Sequence, residues 1–423
     1  MTGEGEPVLL WHVFPLGLLG ADQGGADRVC RGSLRELVEW LPHMNSLGAD
    51  GLLLGPVFAS VSHGYDTVTH RTIDDRLGAV ADLDELVAAA SSHGIGVVLD
   101  GVFAYASRAF WRLADPAELG DHWFTRDHQG GLVSWRVDSL VTPDYDSAGY
   151  QSYVADVMTS WLDRGVAGWR LDSAWSIPAT FWRRVLARVR ETHPTAWFLG
   201  QVFDDDLPPV VNRTTMSSTT EYALMHGIRE WLSGAAADRM VTTLRLHRHN
   251  CRSRSSPHTF LGNHDFARLA DTVPAALLPA AFCLLLTLPG IPGIYYGDEL
   301  ALTSTWAQGG PDALLRPPMT PRDLDELDDT ARDLLASVQQ LGAYRRANTW
   351  LTSATLTDIT THAGALTYTV TGDDHSIQVR VNPTPQTVEF PTDEQQPQAM
   401  LGMATTHADR IEIPPRGWAV HQT

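Results

Sequence analysis

The sequence has few cysteines, no excess of basic residues and no long uninterrupted apolar run, and each shortage removes a class of protein. It holds three cysteines, Cys30, Cys251 and Cys283. An odd number, widely spaced, makes neither a disulfide framework nor the paired spacing of a zinc motif, and suits a reducing interior. With 50 acidic against 31 basic residues the net charge is −19. Nucleic acid and anionic membranes are therefore not expected partners, because phosphate binding needs a basic surface. Neutral ligands remain compatible. Residues 1–10, MTGEGEPVLL, lack the basic leader and apolar core of an export signal, so a cytoplasmic location is expected. The one long apolar run, residues 273–288, is interrupted by Pro274 and Pro279 and followed by Pro289. It reads as a buried helix leading into a strand rather than a membrane span. Internal repeats and low-complexity segments are also missing.

What is present is alternation. Hydrophobic residues at 43% and charged residues at 19% describe a globular chain, and 423 residues fit one barrel plus a smaller domain. Strand candidates fall at residues 8–14, 51–54, 95–99, 166–171, 196–202, within 214–222, at 258–262 and at 293–296. Helical stripes separate them. Ser33 is read as the cap of a helix carrying Leu34, Leu37, Val38 and Leu41, and Asp82 as the cap of one carrying Leu83, Leu86, Val87 and Ala90. Tyr150, Tyr153, Val154, Val157, Met158 and Trp161 line a third, closed by Gly165. The expected fold is α/β: a (β/α)8 barrel over residues 1–103 and 147–346, with its site at the C-terminal strand ends. Residues 104–146, rich in Trp, Asp and Gly, are expected to form a short lid subdomain after strand 3. Leu366, Tyr368 and Val370, then Ile377, Val379 and Val381, alternate as in strands, so residues 350–423 are expected to form a C-terminal antiparallel, sandwich-like β-domain.

The stretch GWRLDSAW (168–175) carries the chemistry. Arg170 and Asp172 lie two apart on a predicted strand, so they share a face and can meet in one pocket. Taken alone they read equally well as a buried ion pair. Their company changes that: Asp100, Gln201 and Asp265 also fall at predicted strand ends.

The order of LDGVF (99–103), GWRLD (168–172), LGQVF (199–203) and LGNHD (261–265) resembles the four signature regions of the α-amylase family, glycoside hydrolase family 13. HGYDT (63–67), IDDRLG (73–78), LPGIPGIYYGDEL (288–300) and RPPM (316–319) are further matches, and the likeness is nearest to intracellular cyclomaltodextrinase and α-glucosidase-type members. The resemblance implies a retaining double displacement on α-glucosidic bonds. Asp172 matches the nucleophile and Asp265 the transition-state stabiliser. Asp100, Arg170 and His264 match sugar-binding residues, and Tyr65 a tyrosine that stacks on the sugar. The chemistry is coherent, since a retaining glycosidase needs one carboxylate about 5 Å from an acid/base group. Without that context His264 and Tyr65 read as packed core residues, and Asp66 reads as a structural hydrogen-bonding residue.

Two departures stand out. Gln201 occupies the place of the general acid/base glutamate. An amide neither protonates a leaving oxygen nor deprotonates water, help worth about 10²- to 10⁴-fold, so the chain as written is expected to be nearly inactive. Gln201 is read as a substitution introduced to trap substrate, with natural loss of the glutamate as the other reading. In DGVFAY, Ala104 and Tyr105 replace an asparagine and a histidine of the family. Alanine offers no oxygen to a hard cation, so neither calcium at that position nor any other metal or cofactor is expected. Tyr105 is expected to hydrogen-bond or stack at the sugar site, or to narrow it. The reading is a hydrolase of short α-glucooligosaccharides. Its alternatives are a transglycosylase or disaccharide isomerase of the same family, and an inactive sugar- or protein-binding member.

Overall fold

A computed structural model describes residues 6–113, 123–252, 256–305, 311–391, 399–407 and 409–422. Parallel strands β1 (Leu10–Val13), β2 (Gly51–Leu54), β3 (Gly96–Gly101), β4 (Gly168–Leu171), β5 (Trp197–Gly200), β6 (Ser218–Thr219), β7 (His258–Phe260) and β8 (Ile291–Tyr295) pair in the order β7-β8-β1-β2-β3-β4-β5-β6. The ends of this sheet meet in a parallel bridge between Thr220 and His258, where the Glu221 N–H donates to the His258 carbonyl at 3.0 Å. The sheet is thereby a closed barrel, as the strand–helix alternation led us to expect. The sixth strand is only two residues long, because its segment is polar and closure needs little more than that bridge.

Register decides what faces inward. Val98 pairs with Gly168, Asp100 with Arg170, and these with Trp197 and Leu199. The pleat has a period of two, so Gly168, Arg170 and Asp172 follow one another up the inner wall. Lower down, Leu10, Leu53, Val98, Trp197, Leu199 and Ile291 fill the barrel interior. Helices such as Ala148–Leu162 and Ala179–Arg190 pack their apolar stripes outside it.

Two helix starts differ from expectation. The segment after Ser33 is a 3-10 turn, Leu34–Trp40, followed by a helix at Leu41–Ser46, because Pro42 has no N–H to continue one ladder through both. Asp82 is not a cap but the third residue of the helix Val80–Ser92, where its carboxylate accepts the Ala79 N–H at 2.8 Å. The apolar run contains a buried helix, Leu278–Thr287, that leads into β8. Among the described residues no helix is long and apolar enough to cross a membrane.

Between β3 and β4, Ala106–Ser107, Ser134–Trp135 and Val137–Val141 make a small antiparallel sheet. The central part of the predicted lid, residues 114–122, lies outside the described residues. After the helix Asp329–Ala347 the chain forms β9 (Thr355–His362), β10 (Ala365–Thr371), β11 (Ser376–Val381), β12 (Val388–Pro391), β13 (Ala399–Gly402), β14 (Thr405–Thr406), β15 (Arg410–Ile413) and β16 (Trp418–Gln422). These build two antiparallel sheets, β9-β10-β11-β16-β13 and β12-β15-β14. Leu366, Tyr368 and Val370 face Val381, Val379 and Ile377 in register, so both predicted alternations belong to one hairpin.

Candidate active site

Four of the eight strands, β3, β4, β5 and β7, each deliver a polar side chain at or just after their C-terminal ends. Asp100 is the fifth residue of β3, while Asp172 and Gln201 directly follow β4 and β5. Asp265 lies in the loop after β7. The chain leaves β4 through Ser173, whose left-handed backbone (φ 47°) turns its N–H onto the Gln201 Oε1 at 2.9 Å. A non-glycine residue in that region is strained, and such strain is common at functional sites.

Tyr65, Tyr105, Asp172, Gln201 and Asp265 line one open cavity of about 530 Å³. Asp100, Arg170 and His264 lie in a buried layer directly beneath it. In that layer the Arg170 Nη1 donates to Asp100 Oδ2 at 2.5 Å and to Asp172 Oδ1 at 3.2 Å, so the two residues read from one strand face do meet. The Tyr65 hydroxyl donates to Asp100 Oδ2 at 3.0 Å and contacts His264 Nε2, and its ring stacks on that imidazole at 5.4 Å. Among the described residues, Asp100 Oδ1 and His264 Nδ1 find no hydrogen-bond partner.

The electrostatics follow from burial. Burial pushes the Asp100 carboxyl up to about 7, against the pull of Arg170. Burial also opposes the Arg170 charge, yet Asp100, Tyr65 and Asp172 around it raise its affinity for the proton well above the ordinary value. His264 is held neutral by burial and by Arg316, His12 and Arg170. The Asp265 side chain is 38% exposed within the cavity, and its partial withdrawal from water there raises its carboxyl above the ordinary value, with Arg316 acting the other way. Arg316 Nη2 stands 3.5 Å from Asp265 Oδ1 and 3.4 Å from Asp312 Oδ2.

Tyr105 does not stand free in the cavity. Its hydroxyl donates to Asp172 Oδ2 at 2.8 Å, and its ring stacks on Trp135 with centroids 4.0 Å apart. Burial and the nearby Asp172 hold the phenol protonated. Both oxygens of Asp172 thus carry a donor. Gln201 is equally occupied, since its Nε2 donates to the Tyr222 hydroxyl at 3.1 Å. The Asp66 carboxylate accepts from the Ser62 N–H and hydroxyl, as a structural residue does.

A family model described as alpha amylase, catalytic domain, matches residues 13–136 and 120–360. The chain belongs to the α-amylase family. Among its relatives in that family, the maltogenic alpha-amylase of Bacillus acidopullulyticus is 27% identical over 403 residues, 88% of this chain and 66% of that one. A cyclomaltodextrinase of Geobacillus thermopakistaniensis is 27% identical over 394 residues, 85% of this chain and 63% of the other. The chain spans between about half and two thirds of the length of these relatives. In fold, the acarbose-soaked debranching enzyme of Nostoc punctiforme superposes with a TM-score of 0.83 at 22% identity, over 98% of each chain. An α-amylase from H. orenii gives 0.83 at 19% identity, over 99% of each.

Sequence reasoning did not single out several residues that line this α-amylase family cavity: Asp22, Gln23, Arg136, Trp175, Phe203 and Asp312. Trp175 and Phe203 are 39% and 52% exposed, with ring centroids 6.1 Å apart. They follow Asp172 and Gln201 by three and two residues, so their nearness to the strand ends was a usable signal. Arg136 and Asp312 carried none.

Proposed function

We propose that the cavity binds an α-glucosidic sugar with its anomeric carbon over Asp172, and that the protein acts on short α-glucooligosaccharides by double displacement. Asp172 is the nucleophile, Asp265 meets positive charge at the anomeric carbon, and the side chain at 201 faces the leaving oxygen. The observation that carries this reading is the opening of positions 172, 201 and 265 into one cavity at the ends of β4, β5 and β7. Asp100 Oδ1 and His264 Nδ1 support it, because buried polar atoms without partners mark a site completed by its ligand. Tyr65 and the Trp175–Phe203 pair offer flat apolar faces to a sugar ring. The relatives named maltogenic amylase and cyclomaltodextrinase support small α-glucans as substrates. The unpaired Cys30, Cys251 and Cys283 suit a cytoplasmic setting.

Gln201 stands where this chemistry needs a carboxylic acid. Its amide fills the place of a glutamate without rearrangement: a carboxylate accepts the Ser173 N–H just as Oε1 does, and accepts a hydrogen bond from the Tyr222 hydroxyl where Nε2 now donates one. That fit supports Gln201 as an isosteric replacement of an acid/base glutamate, the chain binding sugar and turning it over poorly. Gln201→Glu is expected to raise maltotriose hydrolysis by about 10²- to 10⁴-fold. No gain in hydrolysis, in a variant that remains folded, would sink the assignment of position 201. The donor that Tyr105 places on Asp172 favours a second reading, a sugar-binding protein without turnover. A persistently silent Gln201→Glu variant that still binds maltotriose is the outcome that reading requires.

A further inference from the structure

Behind the cavity, one set of contacting side chains has no part in sugar chemistry. Glu221 directly follows Thr220, whose bridge to His258 closes the barrel. It is buried, and both its oxygens accept from the helix Ala237–Asn250: Oε2 from His247 Nδ1 at 2.7 Å and Oε1 from Asn250 Nδ2 at 2.7 Å. Cys251 ends that helix, and its Sγ rests against the same imidazole, 3.6 Å from Nε2 and 3.8 Å from Nδ1. An acid, an imidazole and a thiol thus stand in contact in that order, with the half-buried thiol at the outer end.

The order matters for sulfur chemistry, because the thiolate is the attacking species and a cation beside the sulfur helps it attack. His247 supplies one such cation. Burial opposes charge on its ring, yet the adjoining Cys251 and Glu221 raise its affinity for the proton well above the ordinary value. Arg345 supplies a second: it is fully buried, its Nε finds no partner among the described residues, and its charge interacts with Cys251. The other two cysteines stand in different surroundings. Cys30 is the exposed one, but partial desolvation and the carboxylates of Asp82 and Glu36 raise its thiol above the ordinary value. Cys283 is fully buried, and burial raises its thiol too.

We propose that Cys251, set against His247 and Glu221, is an oxidation site at which a hydroperoxide converts the thiol to a sulfenic acid ahead of the other two cysteines. The Cys251 sulfur attacks one peroxide oxygen, the S–O bond forms and the O–O bond breaks. Sulfur gives up two electrons and the peroxide takes them. The leaving oxygen gains the proton that the thiol loses and departs as water or an alcohol. The product is felt inside the fold, since the added oxygen needs room beside a fully buried ring. His247 holds Glu221 and Glu221 holds Asn250, which accepts the Leu207 N–H at 3.3 Å and donates to the Asp205 carbonyl at 3.1 Å. Oxidation at the outer end therefore presses on the seam that closes the barrel and on the loop after β5 that carries Phe203.

The test treats the full chain with hydrogen peroxide, traps sulfenic acid with dimedone and reads each cysteine by peptide mass spectrometry. Cys251 is expected to be trapped about 10-fold faster than Cys30, or more. Exposure alone predicts the reverse order, so Cys30 reacting as fast as Cys251 overturns the proposal without any variant. Glu221→Gln keeps a hydrogen-bonding group on His247 and removes the charge that sustains the imidazolium, so trapping at Cys251 is expected to slow by about 3- to 10-fold. A purely structural role gives the opposite sign, because a loosened helix end exposes the sulfur and speeds its reaction. Trapping unchanged or faster in Glu221→Gln therefore overturns the part assigned to the imidazole and its acid. Without the trap, peroxide is expected to lower the Tm of the parent by about 2 °C or more, reversibly with dithiothreitol, and to leave Cys251→Ser unaffected. A parent fully oxidised at Cys251 that keeps its Tm overturns the coupling to the barrel seam.

Discussion

Asp100, Arg170 and Asp172 place two carboxylates on one guanidinium, and none of the three side chains is more than 6% exposed. Two effects compete there: withdrawal of Asp100 from water, which disfavours its charge, and attraction to Arg170, which favours it. Burial prevails, and the folded carboxyl titrates near about 7, against about 3.9 for aspartate in an unfolded chain. Between those values the folded protein binds a proton that the unfolded chain has lost. Stability at this residue is therefore full below about pH 4 and falls as pH rises to about 7, by about 1.4 kcal/mol per pH unit. From about pH 5 to about pH 7 the loss is on the order of 3 kcal/mol. Asp100→Asn removes that loss, because the amide stays neutral and its carbonyl still accepts from Arg170 and Tyr65. Urea unfolding is expected to show the variant nearly equal to the parent near pH 4 and more stable than it near pH 7.5, with the gap widening by about 3 kcal/mol between about pH 5 and about pH 7.5. Its affinity for maltotriose falls in the same variant, a trade of stability for function. The reasoning fails if Asp100→Asn is the less stable protein near neutral pH and the gap widens as pH rises, since attraction to Arg170 then exceeds the desolvation of Asp100.

Three further outcomes are expected. In a Gln201→Glu background, Tyr105→Phe deletes the 2.8 Å donor on Asp172; as a charge-assisted bond is worth about 1.5–3 kcal/mol, breakdown of the glycosyl ester should slow by about 10-fold or more, read as a larger pre-steady-state burst, and an unchanged burst counts against the contact. Gly168→Ala puts a Cβ 2.3 Å from the Trp197 carbonyl oxygen, a backbone atom that cannot yield, so thermal unfolding should register a loss of about 3 kcal/mol; full retention of stability means β4 and β5 pack otherwise. Ala104 is fully buried, and its carbonyl already accepts the Tyr145 hydroxyl at 2.7 Å, so a chelator should leave Tm unchanged, and a drop reversed by calcium would contradict this.

Some of this molecule was legible from residues alone, for a definite reason. A period of two or of 3.6 states which side of an element is buried, so the alternation of strands and helices, the shared face of Arg170 and Asp172, and the two alternating segments at Leu366–Val370 and Ile377–Val381 could be read from the sequence, while their pairing as one hairpin came from the fold. Edges were less clear. Pro42 divided a predicted helix, Asp82 moved from cap to third position, and a polar segment shortened the sixth strand to two residues.

Other features have no local signal, because they depend on how far-separated segments come together when the barrel closes. Tyr105 reaches Asp172 across 67 positions, and Tyr65 reaches His264 across 199. Gln201 could be recognised as out of place from its neighbours in the chain, but its grip on Ser173 and Tyr222 could not. Arg136 is the plainest case: in sequence one arginine in a loop, in space a guanidinium against the Trp135 and Trp175 rings on the cavity wall. Local sequence determined the strands and the face each strand presents. Closure of the sheet decided which charges meet, since electrostatic pairing depends on distance in space and burial, and neither is encoded by position along the chain.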